Sequence, residues 1–197
     1  MRRLSIFTAL LALVLATPAA AQSRLAVRPE SKLWIEGTSN VHDWKCEAIG
    51  YELVTDVDPA FARKETAQPK ALKTSVRVPI ARISCGKDKM DENLRKALKA
   101  DANSQILWSL DRFEASASKV TAHGTMTLAG TTRPVQVDVT TARQADGSIK
   151  ATGSTTVRMT DFGLKPVSIM MGAIKTGDAV TVKFDLLLAP AAMVAER

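Results

Sequence analysis

The chain is poor in the side chains from which most active sites are made. Two cysteines, two histidines and one tyrosine occur in 197 residues, and aromatic residues make up 5%. Two histidines, His42 and His123, would need carboxylates at no recognisable spacing to hold a metal, so no metal centre is expected. No G-x-S-x-G elbow, P-loop or dinucleotide fingerprint is present. The tripeptide Asp161-Phe162-Gly163 stands without a glycine-rich loop or an H-R-D segment, which removes a kinase reading.

Long apolar runs are equally scarce. The single one, residues 4–16, is too short to span a bilayer comfortably. It follows Arg2 and Arg3 and precedes "TPAAA", with small residues at Ala19 and Ala21. This pattern predicts a signal peptide over 1–21, cut before Gln22, and a periplasmic location. Residues 22–197 then form one domain with a net charge of +5. The charges are not clustered, so nucleic acid is not an expected partner.

In an oxidising compartment the even cysteine count points to a Cys46–Cys85 disulfide. It would close a loop of about 40 residues, worth roughly 4 kcal/mol by chain entropy. The competing redox reading lacks the usual C-x-x-C spacing.

What the chain has in abundance is alternation of apolar and polar residues with a period of two. It runs through 31–37, 45–55, 75–83, 104–110, 118–128, "RPVQVDVTT", "SIKATGSTTVRM" and "DAVTVKFDLLL", with turns at Gly130-Thr131, Asp146-Gly147 and Thr176-Gly177-Asp178. Eight half-buried antiparallel strands read as an all-β barrel or sandwich. "DKMDENLRKALK" predicts one helix, with Met90, Leu94, Ala97 and Leu98 on one stripe, acids early and bases late. Residues 56–70 and 161–177 read as loops, and "PAAMVAER" as a frayed tail.

Inward positions include Ala122, Gly124, Ala151, Gly153 and Thr155. Small residues in mid-strand leave room unless large neighbours fill it. On the residues alone, a core closed by Trp108 and Phe184 is the plainer reading.

"GTSNVHDWKCEA", residues 37–48, gathers Ser39, His42, Asp43 and Cys46. His42 and Asp43 are adjacent, so on extended backbone their side chains point apart, and no triad converges. The stretch reads as a turn in which Asn40 or Asp43 bonds local backbone.

"GTSNVHDWKC", "KMDENLRKALK…ILWSL", "GTMTLAGTTRPVQVDV" and "MTDFGLKPVSIMMGAIKTGDAVTVKFDLLLA" together resemble the YceI-like family over roughly residues 31–189. The more specific parts are the hairpin with Gly124, Leu128, Gly130, Thr132, Pro134 and Val135, and the turn at Asp161-Phe162-Gly163. The resemblance implies an exported, non-enzymatic, eight-stranded lipocalin-like barrel with a helix near one end. It also implies a long apolar chain inside (a polyisoprenoid, an isoprenoid quinone or a fatty amide) and no other cofactor, which reverses the preference for a filled core. The expected wall is Val78, Ile80, Trp108, Met126, Val157, Met159 and Phe184, with Trp34, Trp44, Phe162, Met170 and Met171 at the mouth or loops. His42 is a candidate for a polar ligand head. Transient contact with a membrane surface and a dimer stay open. The alternative function is an envelope stress or interaction module with a filled barrel.

Overall fold

The computed structural model describes residues 23–62 and 70–191. The expected signal peptide, part of the 56–70 loop and most of the C-terminal tail lie outside the described residues. In chain order the strands are β1 (Ser23–Val27), β2 (Lys32–Ser39), β3 (Trp44–Ala48), β4 (Glu52–Val57), β5 (Ala71–Pro79) and β6 (Ile83–Ser84), then β7 (Gln105–Ser116), β8 (Lys119–Leu128), β9 (Thr131–Arg143), β10 (Ile149–Arg158), β11 (Ser168–Ile169) and β12 (Ile174–Pro190). Helix α1 (Pro59–Ala62) follows β4, and α2 (Asp88–Ala97) precedes β7.

The strands close on themselves. From β12 the order runs β10, β9, β8, β7, β5, β4 and β1, and β1 pairs with β12 again, all antiparallel. Closure leaves the main circuit without an edge. The long β12 serves two partners on that side: β1 at Leu188–Pro190 and β2 at Thr176–Asp185. Ser31 makes the break between them by exchanging hydrogen bonds with the Leu187 backbone. β3 lies beside β2 as β4 lies beside β1, so eight positions are filled by more than eight segments.

Eight strands and one longer helix match the sequence reading, with local corrections. Residues 45–55 form two strands, β3 and β4, not one. Within 56–70, Pro59–Ala62 is helical. Within 161–177, β11 pairs with the start of β12, so the last strand begins at Ile174 and not beyond Gly177-Asp178. The expected turn at Thr176-Gly177-Asp178 is a bulge, where the register against β2 shifts between Thr176 and Val180. Ile80, expected on the wall strand with Val78, has left the sheet for a short 3-10 turn after Pro79.

α2 carries Asp88 and Asp91 in its first turn and Arg95 and Lys96 in its last, complementing the helix dipole. Asp91 accepts hydrogen bonds from Ser84 Oγ and from the Cys85 amide, which fastens the helix to the segment carrying the disulfide. Cys46 and Cys85 are bonded.

A hollow barrel interior as the candidate functional site

The buried side chains fall into two clusters. One gathers beneath α2 around Ile80, Leu98, Met126, Phe162 and Leu164. The other gathers at the opposite end around Leu25, Val57, Phe61, Ile149 and Leu188. A cavity of about 500 Å³ touches both, from Leu25, Phe61 and Leu188 to Ser39, Val41 and Ile169. On β12 its lining extends from Thr176 to Leu188, about 40 Å of strand at ~3.3 Å per residue. The space is therefore long and thin, and its wall is overwhelmingly apolar.

The small inward residues explain how it stays open. A Cβ on Gly124 would lie 2.6 Å from the Trp108 ring, on Gly153 2.5 Å from the Phe184 ring, and on Gly37 2.3 Å from the Trp44 ring. Each glycine is the seat of an aromatic ring laid against the wall. The expectation that Trp108 and Phe184 face small residues is met, yet the rings pave the wall and do not fill the lumen.

Among the described residues, Phe61 covers the end near α1. Phe61 is 7% exposed. Arg143 holds it, donating to the Phe61 carbonyl at 2.6 Å with its guanidinium 5.0 Å from the ring centre. Nearby, Asp146 accepts from the Ser148 side chain and backbone and pairs with Arg28 at 2.7 Å. Those bonds, the Ser148 hydroxyl first, hold its carboxyl well below the usual range.

The other end is open. Its rim is made by α2, by residues 40–43 between β2 and β3, and by the β11–β12 hairpin. Asn40 ties the last two together, donating to the Ala173 carbonyl at 2.9 Å and accepting from the Lys175 amide at 2.8 Å. Asn40 thus bonds a distant hairpin and not its own turn. Ser39 does the local work: its Oγ accepts from the Val41 and His42 amides and donates to the His42 carbonyl. His42 Nδ1 meets the Asp43 carbonyl at 2.8 Å. Val41 is 61% exposed and Met170 71%, and Met171 is wholly exposed with its backbone in the left-handed region.

Of the residues singled out from sequence, Trp44, Val78, Trp108, Met126, Val157, Met159 and Phe184 line the cavity, and His42 stands at its rim. Trp34 belongs to the wall, but its indole donates to Glu36 at 2.7 Å with Lys45 over the ring, on the outer face. Ile80 and Phe162 are packed in the cluster under α2, while Met170 and Met171 project from the hairpin tip. Sequence reasoning missed Tyr51, Phe61 and the helix stripe of Met90, Leu94 and Ala97 as lining. The stripe was visible as amphipathic, but not what it would face.

A family model described as the YceI-like domain matches residues 38–188. No curated protein sequence gives a significant match. Among solved structures, BcnA of Burkholderia cenocepacia superposes with a TM-score of 0.67 at 17% identity, covering 82% of this chain and 99% of that one. A polyisoprenoid binding domain from Saccharophagus degradans, implicated in plant cell wall breakdown, gives 0.59 at 13% identity, with 86% and 99% covered. The Campylobacter jejuni YceI protein gives 0.56 at 21%, with 72% and 82% covered. At these identities the likeness is one of fold.

Proposed function

The chain belongs to the YceI-like family, and from that membership and the shape of its interior we propose that it is an exported carrier or sequestering protein for one long apolar chain. The observation that carries this is the apolar cavity running from the sealed Phe61 end to the open rim. Each methylene moved from water into such a wall gains about 0.8 kcal/mol, so about a dozen supply near 10 kcal/mol gross before ordering costs. Binding needs no bond to be made, and the Ser39 hydroxyl is committed to backbone groups; the reading is of a binding protein and not an enzyme. The solved neighbour described as a polyisoprenoid binding domain supports the ligand class. The disulfide suits a periplasmic site of action. The exposed Val41, Met170 and Met171 beside the rim fit loading from a membrane surface. A filled-barrel interaction module has the cavity against it.

Protein purified without detergent, extracted with organic solvent or sprayed under native conditions, is expected to release an apolar molecule. Repeated absence of one, with no binding of prenyl quinones, polyisoprenoids or fatty amides, overturns the reading.

A further inference from the structure

The β11–β12 hairpin is unlike the rest of the rim. Ile169 pairs with Ile174 and Ser168 with Lys175. Val167, Ile169 and Ile174 line the cavity, so the inward face of the hairpin carries the apolar wall up to the mouth. The tip beyond them is Met170, 71% exposed, and Met171, wholly exposed. Both hold a left-handed backbone, with φ of 52° and 51°. Asparagine and glycine are the residues that take such positions at low cost. Two methionines there are disfavoured twice, by their backbone and as apolar surface in water. Strain and exposure kept together at the edge of a binding site argue for a use of the side chains.

The charges on this segment have one sign. From Phe162 to Gly177 the chain contains Lys165 and Lys175 and no acid. Both lysines are exposed. Lys175 stands beside the tip, since a Cβ on Gly172 would lie 3.5 Å from its Cε. Lys99 reaches the same flank and donates to the Gly163 carbonyl at 3.2 Å. Asp178, just past the segment, is engaged by the amide and hydroxyl of Thr160. Asn40 fastens the hairpin to the neighbouring turn, where Val41 adds a third exposed apolar side chain. An apolar tip with cations set behind it has the layering of an anionic bilayer. Methionines enter the acyl layer, lysine stems lie along it, and their ammonium groups reach the lipid phosphates.

We propose that the β11–β12 hairpin docks the barrel on an anionic lipid surface, with Met170 and Met171 inserted, Lys165 and Lys175 at the level of the phosphates, and the mouth turned to the bilayer. This rests on the carrier function above and names its partner and the lipid charge that partner must carry.

The test is co-sedimentation with vesicles of phosphatidylcholine alone or mixed with phosphatidylglycerol. Wild type is expected to bind the mixed vesicles about tenfold more tightly at low salt and to lose most of that preference at high salt. Lys165→Gln with Lys175→Gln should weaken binding to the mixed vesicles by about tenfold. Lys73→Gln with Lys119→Gln removes the same charge far from the rim, opposite Asp56 and Thr140, and should weaken it by less than about twofold. Met171→Trp supplies a separate readout should the lysine variants fold poorly: its added indole should emit further to the blue on mixed vesicles and be quenched by brominated acyl chains. Equal weakening by the two lysine pairs assigns the attraction to net charge, and an unquenched indole leaves the tip in water; either result overturns the proposal. Carriage is read separately by organic extraction. A released apolar chain without vesicle docking overturns this inference alone, and failure of every apolar chain to bind overturns the carrier reading.

Discussion

At one end of the barrel Phe61 is buried, Arg143 grips its carbonyl and its ring, and β1, β4 and β12 close the wall. At the other, Met170 and Met171 stand in water and the wall is held by a disulfide, by Asn40 and by a helix laid along the rim. The sealed end is stabilised as a protein core is, by packing and satisfied polar groups. The open end keeps a buried cluster beneath α2 and adds cross-links to it. A binding protein of this kind needs both: a floor that stays shut and a rim that admits a ligand without unfolding.

Several changes would break or sharpen that contrast. Cys46→Ser with Cys85→Ser should destabilise the protein by about 4 kcal/mol, and reductant should reproduce the drop in Tm. If the open end relies on cross-linking, the loss should appear first as faster amide exchange in α2 and β6. Phe61→Ala should cost about 3 kcal/mol and unplug the floor, so that bound chains leave faster; unchanged release would show that the floor is sealed by something else. Gly153→Ala places a Cβ 2.4 Å from the Asp138 carbonyl; denaturation should show a loss of about 2 kcal/mol, together with weaker ligand binding. Met170→Asp with Met171→Asp should leave stability within about 0.5 kcal/mol and cut transfer of a fluorescent lipid from vesicles by about tenfold. Equal transfer would remove the hairpin tip from the loading step.

The smallest effect concerns pH. Glu92 on α2, bonded to Lys89 and Lys96, has its pKa lowered to about 2. A lowered folded pKa contributes stability above the unfolded value, lost as pH falls through the folded one. The Tm difference between wild type and Glu92→Gln should be small at pH 7, because the pair is exposed. It should shrink from pH 4.5 downward and be gone below about pH 2. A difference that grows on acidification would contradict this.

The barrel was legible because its strands are one-sided: in β8, Ala122, Gly124, Met126 and Leu128 face in, while His123, Thr125 and Thr127 face out. The helix was legible from its stripe and its charge order. What pattern could not show depended on contacts distant in sequence. Gly177 looks like a turn residue, and only its pairing with β2 makes it a bulge. Asn40 looks like a local turn former, yet its partners are Ala173 and Lys175. Tyr51 is a lone aromatic just before a strand, and nothing local says that it lines the cavity. In the sequence Gly124 and Gly153 look like gaps for large residues to fill. Alternation fixed which way Trp108 and Phe184 point, but not whether the rings lie along the wall or across the lumen.

Those glycines make the calibre of the channel a property of three missing methyl groups. At Gly124 and Gly153 a methyl would strike the carbonyl oxygens of Ser109 and Asp138, so the gauge there is locked by the sheet itself. At Gly37 the nearest atoms it would strike belong to the Trp44 ring, a side chain that can turn. One alanine at Gly37 would swing that ring into the bore just inside the rim, turning the open throat into a finer sieve that passes straight chains and holds back branched ones.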